Sequence, residues 1–160
     1  MAKKPVSFVL NDAETSVFVE QGGNLLDELR RTVGDLSPKY GCGQGTCGAC
    51  TVLIDGEPHL SCLVMAERIE GRRVDSTGGL ANGPDLHPLQ TAFMEGFAAQ
   101  CGFCSPGMLM AAKALLDRNP DPSRDEISEA ISGNLCRCTG YEPIIDAILA
   151  AAESMRRGRT

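Results

Sequence analysis

Tryptophan is absent from this chain, and the aromatic residues make up only 4% of its 160 positions. No Lys/Arg cluster sits among those few rings and the formal net charge is −6. A nucleic-acid-binding surface, which needs a basic patch and stacking partners, is therefore excluded. No apolar stretch approaches the roughly 18–20 residues that span a bilayer, so direct membrane insertion is not expected. A secretory leader is not expected either. Lys3-Lys4 could imitate its charged start, but Pro5 to Phe18 alternates and carries Asn11, Asp12 and Glu14, which leaves no apolar segment behind it. Arg30-Arg31 precedes no apolar run and is not a twin-arginine signal. His59 and His87 each stand alone and read as surface or internally satisfied residues. The terminal Arg156-Arg157-Gly158-Arg159 reads as a solvated tail.

What the chain has instead is cysteine. Eight of them fall into two groups of four. The first group is Cys42, Cys47 and Cys50, followed by Cys62 after eleven intervening residues. The second is Cys101-Gly-Phe-Cys104 and, thirty-one residues on, Cys136-Arg-Cys138. The even count would suit disulfides, but no secretory signal supports them. The chain reads as cytoplasmic, unless it is carried out already folded by a signal-bearing partner. In the cytoplasm thiols stay reduced, and clustered cysteines point to metal or redox chemistry. The C-x4-C-x2-C spacing of Cys42, Cys47 and Cys50 is that of plant-type [2Fe–2S] ferredoxins, whose clusters are held by four thiolates. Two complete sets in one short chain suggest two one-electron carriers in series.

Periodicity divides the chain into two modules. Residues 1–78 read as a small α+β domain. Val6, Phe8 and Leu10 alternate with polar partners, Asn11-Asp12 turns the chain, and Ser16 to Val19 returns as a second strand. Leu25, Leu26 and Leu29 recur at helical spacing between a cap at Asn24 and a stop at Gly34. Thr51 to Ile54 is a strand, Asp55-Gly56 a hairpin turn, His59 to Cys62 the return strand, and Arg73 to Ser76 a last strand. Residues 79–87, with Asn82-Gly83-Pro84, form a linker. Residues 88–160 are helical. Leu89, Phe93 and Phe97 line one face, and Ser105-Pro106 reads as cap and first-turn proline of a buried helix running to about Asn119. Ser123 and Glu126 form a capping box. Pro143 opens a last helix with Ile144, Ile145, Ile148 and Leu149 facing inward.

In the helical module Cys101/Cys104 joins one helix pair and Cys136/Cys138 joins the other. Packing the pairs as a four-helix bundle brings four thiolates to one end. Gly41, Gly43, Gly45 and Gly48 let the first loop turn its backbone N–H groups toward an anion, which a thiolate-ligated cluster is. Gly102, Gly107 and Gly140 are placed to serve the second site similarly. The helix opening at Pro106 points its N-terminal dipole there. Structural zinc also takes four cysteines, and Cys101-x-x-Cys104 alone fits it. The first loop favours iron and sulfide.

Three motifs occur in order: Gly41-Cys-Gly-Gln-Gly-Thr-Cys-Gly-Ala-Cys-Thr-Val52, Gln100-Cys-Gly-Phe-Cys-Ser-Pro-Gly-Met108 and Gly133-Asn-Leu-Cys-Arg-Cys-Thr-Gly-Tyr141. With them the chain, from about Val6 to Ala151, resembles the small iron–sulfur subunit of the molybdenum hydroxylases, the family of xanthine dehydrogenase, aldehyde oxidoreductase and carbon monoxide dehydrogenase. Ser105 stands where many relatives have Thr. The resemblance implies an N-terminal β-grasp, plant-type ferredoxin-like domain holding one [2Fe–2S] cluster on Cys42, Cys47, Cys50 and Cys62. It implies a second cluster on Cys101, Cys104, Cys136 and Cys138 in a C-terminal four-helix bundle. It further implies a molybdopterin cofactor held by a large partner subunit and contacted by Gln100 and Cys138, with FAD in a medium subunit or another acceptor beyond. An apolar helical face left over from the bundle is expected to dock the large subunit. On this reading the chain does no bond chemistry and passes single electrons from molybdenum through both clusters. A stand-alone ferredoxin-like carrier is the alternative.

Overall fold

The computed structural model describes residues 3–158. Alternation builds the first hairpin. In β1 (Lys3–Leu10) the side chains of Val6, Phe8 and Leu10 are buried, and in β2 (Ala13–Glu20) those of Val17 and Val19. The strands pair antiparallel with Val6 opposite Val17. Asn11 and Asp12 both take left-handed φ, 49° and 67°, as the tight two-residue turn requires.

Asn24 caps α1 (Leu25–Asp27) by accepting the Asp27 N–H at 2.9 Å. The helical spacing seen in the sequence then continues as a π-helical stretch, Glu28–Val33, closed by Gly34 at φ 86°. Strand β3 (Thr51–Ile54) turns at Asp55-Gly56 into β4 (Glu57–Leu60). The return strand was expected over His59–Cys62. It ends earlier because the Leu63 N–H bonds back to the Leu60 carbonyl at 2.8 Å, and that turn lifts Cys62 out of the ladder. Strand β5 (Arg73–Asp75) completes a mixed sheet of order β2-β1-β5-β3-β4, with β1 and β5 parallel. Leu25 and Leu29 pack on Val6, Phe8, Val52, Ile54 and Val74 as one core.

The second half holds α2 (Pro88–Glu95), α3 (Ser105–Arg118), α4 (Arg124–Ile131) and α5 (Glu142–Arg157). Leu89, Phe93, Met108, Leu116, Ile127, Ile131, Ile144 and Ile148 from all four helices share a second core. Each fully buried side chain of this size is worth about 1.5–3 kcal/mol over exposure. His87 caps α2: its Nδ1 accepts the Leu89 N–H at 3.2 Å, and Gln90 reaches back to the His87 N–H at 2.9 Å. Ser123 and Glu126 make the expected capping box on α4.

Three expectations are corrected. Phe97 does not line the α2 face. The helix ends at Gly96, Phe97 turns left-handed at φ 51° and is 81% exposed, and Ala98 takes the buried place. Ser105 is not a cap. Cys104 holds that position, Ser105 is the first helical residue, and its hydroxyl is buried without a partner. Arg156 and Arg157 are not a free tail but the last turn of α5, where Arg156 ion-pairs with Asp121. Arg159 lies outside the described residues.

The halves are stitched by Leu53 of β3 packing on Met110 and Ala114 of α3, with Leu80 beside them. The Thr77 hydroxyl also donates to the Pro106 carbonyl at 2.9 Å. Among the described residues, no helix is long and apolar enough to cross a membrane.

Candidate metal centres

The first candidate centre is the loop between the π-helical stretch and β3. Arg30 ties down its entry by donating to the carbonyls of Leu36 and Pro38 at 3.0 and 2.7 Å. The Lys39 N–H closes it onto the Ala49 carbonyl at 3.0 Å. Inside, the N–H groups of Gln44 and Thr46 face the Cys42 sulfur at 3.5 and 3.3 Å. The Thr46 hydroxyl, followed by those two N–H groups, holds the Cys42 thiol down to about 5. The neighbouring Cys47 thiol lowers Cys42 further. A Cβ on Gly41 would stand 2.8 Å from the Cys47 sulfur, so only glycine leaves the thiols this room.

Cys50 and Cys62 form the buried side of the loop, packed with Leu26. The buried Ser61 sets their spacing, its hydroxyl donating to the Cys50 carbonyl at 2.8 Å. Burial, and then the Cys50 thiol it bonds, push the Cys62 thiol up to about 11.

The second candidate centre lies where the α2–α3 and α4–α5 loops meet. Cys101 and Cys138 approach with sulfurs 3.6 Å apart, and both residues are exposed. Cys104 and Cys136 make the deeper pair. Each pair holds one thiol shifted down and one shifted up. Burial pushes Cys104 up to about 12. Burial works against ionising Cys136, yet the Thr139 hydroxyl and the Thr139 and Cys138 N–H groups lower it overall. The Phe103 N–H lowers Cys101, while the hydrogen bond that Cys138 donates to Cys101 raises Cys138. Two neighbouring thiols oppose each other's ionisation, because like charges repel without a neighbouring cation.

The structure brings the expected ligand residues together as pairs, Cys42 with Cys47, Cys50 with Cys62, Cys101 with Cys138 and Cys104 with Cys136, and all eight are free thiols. Among the described residues, no three Cys, His, Asp or Glu side chains converge to hold a single metal ion. The thiols come instead as pairs, which suits a group with two metal atoms taking two thiolates each. The Ser105 hydroxyl, next to Cys104, is a buried polar atom awaiting a partner.

Gln100 is exposed beside Cys101. The large exposed apolar side chains of this half sit mostly on loops: Phe97, Phe103 and Leu135. Exposed apolar surface thus lies at the loop end, while Met94 also presents an apolar side chain on α2. Gly107 also differs from expectation. It does not shape the second thiol loop; a Cβ there would meet the Gly48 carbonyl at 2.2 Å, so it lets α3 touch the first loop.

Sequence reasoning missed four residues that order these loops: Ser61, Asn134, Thr139 and Tyr141. Tyr141 accepts the Cys136 N–H at 3.0 Å, and the Thr139 hydroxyl lies 3.1 Å from the Cys136 sulfur. Asn134 reaches across to the first loop. The last three lie inside the Gly133–Tyr141 motif, where polar residues flanking cysteines were the available signal.

A family described as "2Fe-2S iron-sulfur cluster binding domain" matches residues 8–81, and one described as "[2Fe-2S] binding domain" matches residues 76–149. The chain is 44% identical to the nicotinate dehydrogenase small FeS subunit of Eubacterium barkeri, over 96% of this chain and 98% of that one. It superposes on a chain of quinoline 2-oxidoreductase from Pseudomonas putida 86 with a TM-score of 0.94 at 48% identity, covering all of both chains. On the aldehyde oxidoreductase of Desulfovibrio desulfuricans it gives a TM-score of 0.93 at 40% identity, spanning 98% of this chain but 17% of that one.

Proposed function

The chain belongs to the small iron–sulfur subunits of the molybdenum hydroxylases, and we propose that its two thiol quartets are the ligand sets of two [2Fe–2S] clusters. Cys42, Cys47, Cys50 and Cys62 would hold one, and Cys101, Cys104, Cys136 and Cys138 the other. The observation that carries this is the pairing of free thiols at both sites, with Cys101 and Cys138 at 3.6 Å. Metal ligation requires thiolates, and the positive charge of iron is what would let all four ionise together.

Its role is electron transfer within an oxidoreductase complex; bond chemistry belongs elsewhere in that complex. A bound cluster supplies one-electron redox chemistry. The protein supplies ligands, spacing and tuning. Hydrogen bonds to ligating sulfur tune the potential; the Gln44 and Thr46 N–H groups would do this at Cys42, and the Thr139 hydroxyl at Cys136. The Ser105 hydroxyl would find its acceptor among the sulfurs of the second site.

We read the chain as a ferredoxin-like domain, residues 1–78, and a helical domain, residues 88–160, joined by residues 79–87. Separate cores in the two halves support the division. Contacts among all four helices around one core support reading the second half as a bundle with its site at the loop end.

The chain corresponds to only 17% of the aldehyde oxidoreductase it superposes on, so a large partner subunit is expected to hold the molybdopterin. Exposed Gln100, Cys101 and Cys138, with exposed Phe97, Phe103 and Leu135 on the loops of the same half, form the face offered to it. Gln100 and Cys138 would contact the pterin. The first site, with exposed Tyr40, Leu63 and Met65 nearby, would face an FAD subunit or another acceptor. Eight unbridged thiols favour a reducing compartment, the cytoplasm.

Metal analysis and EPR of the dithionite-reduced protein, purified with its co-eluting partners, tests this. Four irons per chain in two distinct [2Fe–2S] signals alongside a molybdenum-containing subunit is the expected result. Zinc in the helical half, or a monodisperse isolated chain with a single signal, would return the carrier alternative. Gln100→Ala should keep both signals while slowing reduction of the second site by substrate. Unchanged kinetics would remove Gln100 from the pterin contact.

A further inference from the structure

Between the two thiol loops lies a joint that neither site needs for ligation. The Leu135 N–H donates to the Cys47 carbonyl at 2.9 Å. Leu135 precedes Cys136, and Cys47 belongs to the other quartet. From the Cys47 sulfur to the Cys136 sulfur there is therefore a continuous run of covalent bonds interrupted by one hydrogen bond. Next to it, Asn134 is 95% buried, with its Nδ2 donating to the Gly48 carbonyl at 2.9 Å and lying 3.3 Å from the Thr51 hydroxyl. The Thr51 hydroxyl and N–H donate to the same carbonyl at 2.7 and 3.1 Å. Three donors thus converge on the carbonyl of Gly48, the residue after Cys47.

The packing is as tight as the polar contacts. Gly48 sits at φ 69°, and a Cβ on it would fall 2.5 Å from the Gly133 carbonyl. Gly107 presses from α3 against the Gly48 carbonyl. The joint fixes the register of one loop on the other, and the Cys47–Leu135 bond depends on that register.

We propose that Asn134 is a positioning residue for electron passage between the two sites, clamping Gly48 so that the Cys47 carbonyl keeps its hydrogen bond to Leu135. The inference rests on the ligand assignment made above. Tunnelling decays less along bonds and hydrogen bonds than across a gap, so this contact is the favoured crossing. The step moves one electron. The second site is oxidised, the first is reduced, and no bond, proton or atom changes place. A competing route exists through space, because the Phe103 ring of the second loop lies over Gly41 of the first, 3.5 Å from where a Cβ would be.

Asn134→Leu removes the donor at nearly constant volume. Thr51→Val is a milder second variant that loosens the same carbonyl, and Phe103→Leu probes the rival route. All are compared in the purified complex. Iron content and the two EPR signals of the unaltered protein come first; if two [2Fe–2S] signals are absent there, the ligand assignment fails, whatever the variants do. Given both signals, Asn134→Leu should leave reduction of the second site by substrate unchanged. Delivery to the first site, followed by rapid-freeze EPR, should slow several-fold. The magnetic splitting between the two reduced sites should shrink, and Thr51→Val should show both changes more weakly. Splitting and delivery rate that stay at the unaltered values in both variants would overturn the proposal. So would a larger slowing in Phe103→Leu than in Asn134→Leu. Equal loss of iron from both sites in Asn134→Leu and Thr51→Val would also overturn it, making the joint structural only.

Discussion

The hydroxyl of Tyr141 accepts the backbone N–H of Cys136 at 3.0 Å, while Tyr141 itself sits in a left-handed conformation at φ 72°. A non-glycine residue held there costs roughly 1–2 kcal/mol relative to ordinary backbone. The Thr139 hydroxyl supports it by accepting the Tyr141 N–H at 3.1 Å. The ring thus folds back over the second thiol loop and becomes part of its frame.

Tyr141→Phe keeps the ring and removes the acceptor. The Cys136 N–H, half-buried, then loses its partner, a cost of about 1 kcal/mol. The expected outcome is faster loss of iron from the second site under a chelator, with the first site unaffected. Chelator-challenge kinetics followed by EPR checks this; equal rates in variant and parent would show that the hydroxyl does not brace the loop.

Gly107→Ala isolates the joint between the halves by sterics alone. Within α3, alanine is favoured over glycine by about 0.5–1 kcal/mol, so propensity predicts a gain. The new Cβ, however, would lie 2.2 Å from the Gly48 carbonyl, a backbone atom that cannot rotate away. Overpacking of this kind costs about 1–3 kcal/mol. The expected net result is a lower midpoint in thermal unfolding and a perturbed signal from the first site. A midpoint at or above the parent's would mean that the halves separate without penalty.

The N-terminal hairpin, the four helices and the placing of the cysteines on loops were legible in the sequence because each has a local cause. Alternation buries Val6, Phe8 and Leu10; Ser123 and Glu126 cap one another; loop spacing confines the thiols. What stayed hidden depends on contacts distant in sequence or on where a turn falls. Phe97 matches the helical period of Leu89 and Phe93, yet Gly96 ends α2 just before it and turns the ring outward. Ser105-Pro106 looks like a cap, but the helix begins at Ser105 itself, leaving the hydroxyl for the site. Asn134 contacts Gly48 across eighty-six positions of sequence, and no periodicity reports such a pair.

Cys136→Ser tests the order of the two sites. The substitution removes a deep ligand of the second quartet and touches nothing that Cys42, Cys47, Cys50 or Cys62 needs. The complex should lose one [2Fe–2S] signal, keep the first-site signal and stop turning over with its physiological acceptor. Full activity with a single signal would show that electrons bypass the second site.

Acid should loosen α2 before the rest of the helical half, and His87 is the reason. Burial, followed by the nearby Lys113 charge, depresses its pKa below the ordinary value of 6.5, while Asp117 opposes them. The unfolded chain therefore takes up the proton more readily than the folded one. The stabilisation is complete above the unfolded value and is lost as pH falls from there through the folded value. Protonation also converts Nδ1 from the acceptor of the Leu89 N–H into a donor, which undoes the cap. Hydrogen exchange at the first turn of α2 should therefore accelerate as pH falls below about 6.5, beyond the intrinsic pH dependence of exchange. His87→Asn supplies a strong N-cap that does not titrate, so it should flatten that response while leaving exchange in α3 unchanged. The same acceleration in His87→Asn would assign the acid sensitivity to another group.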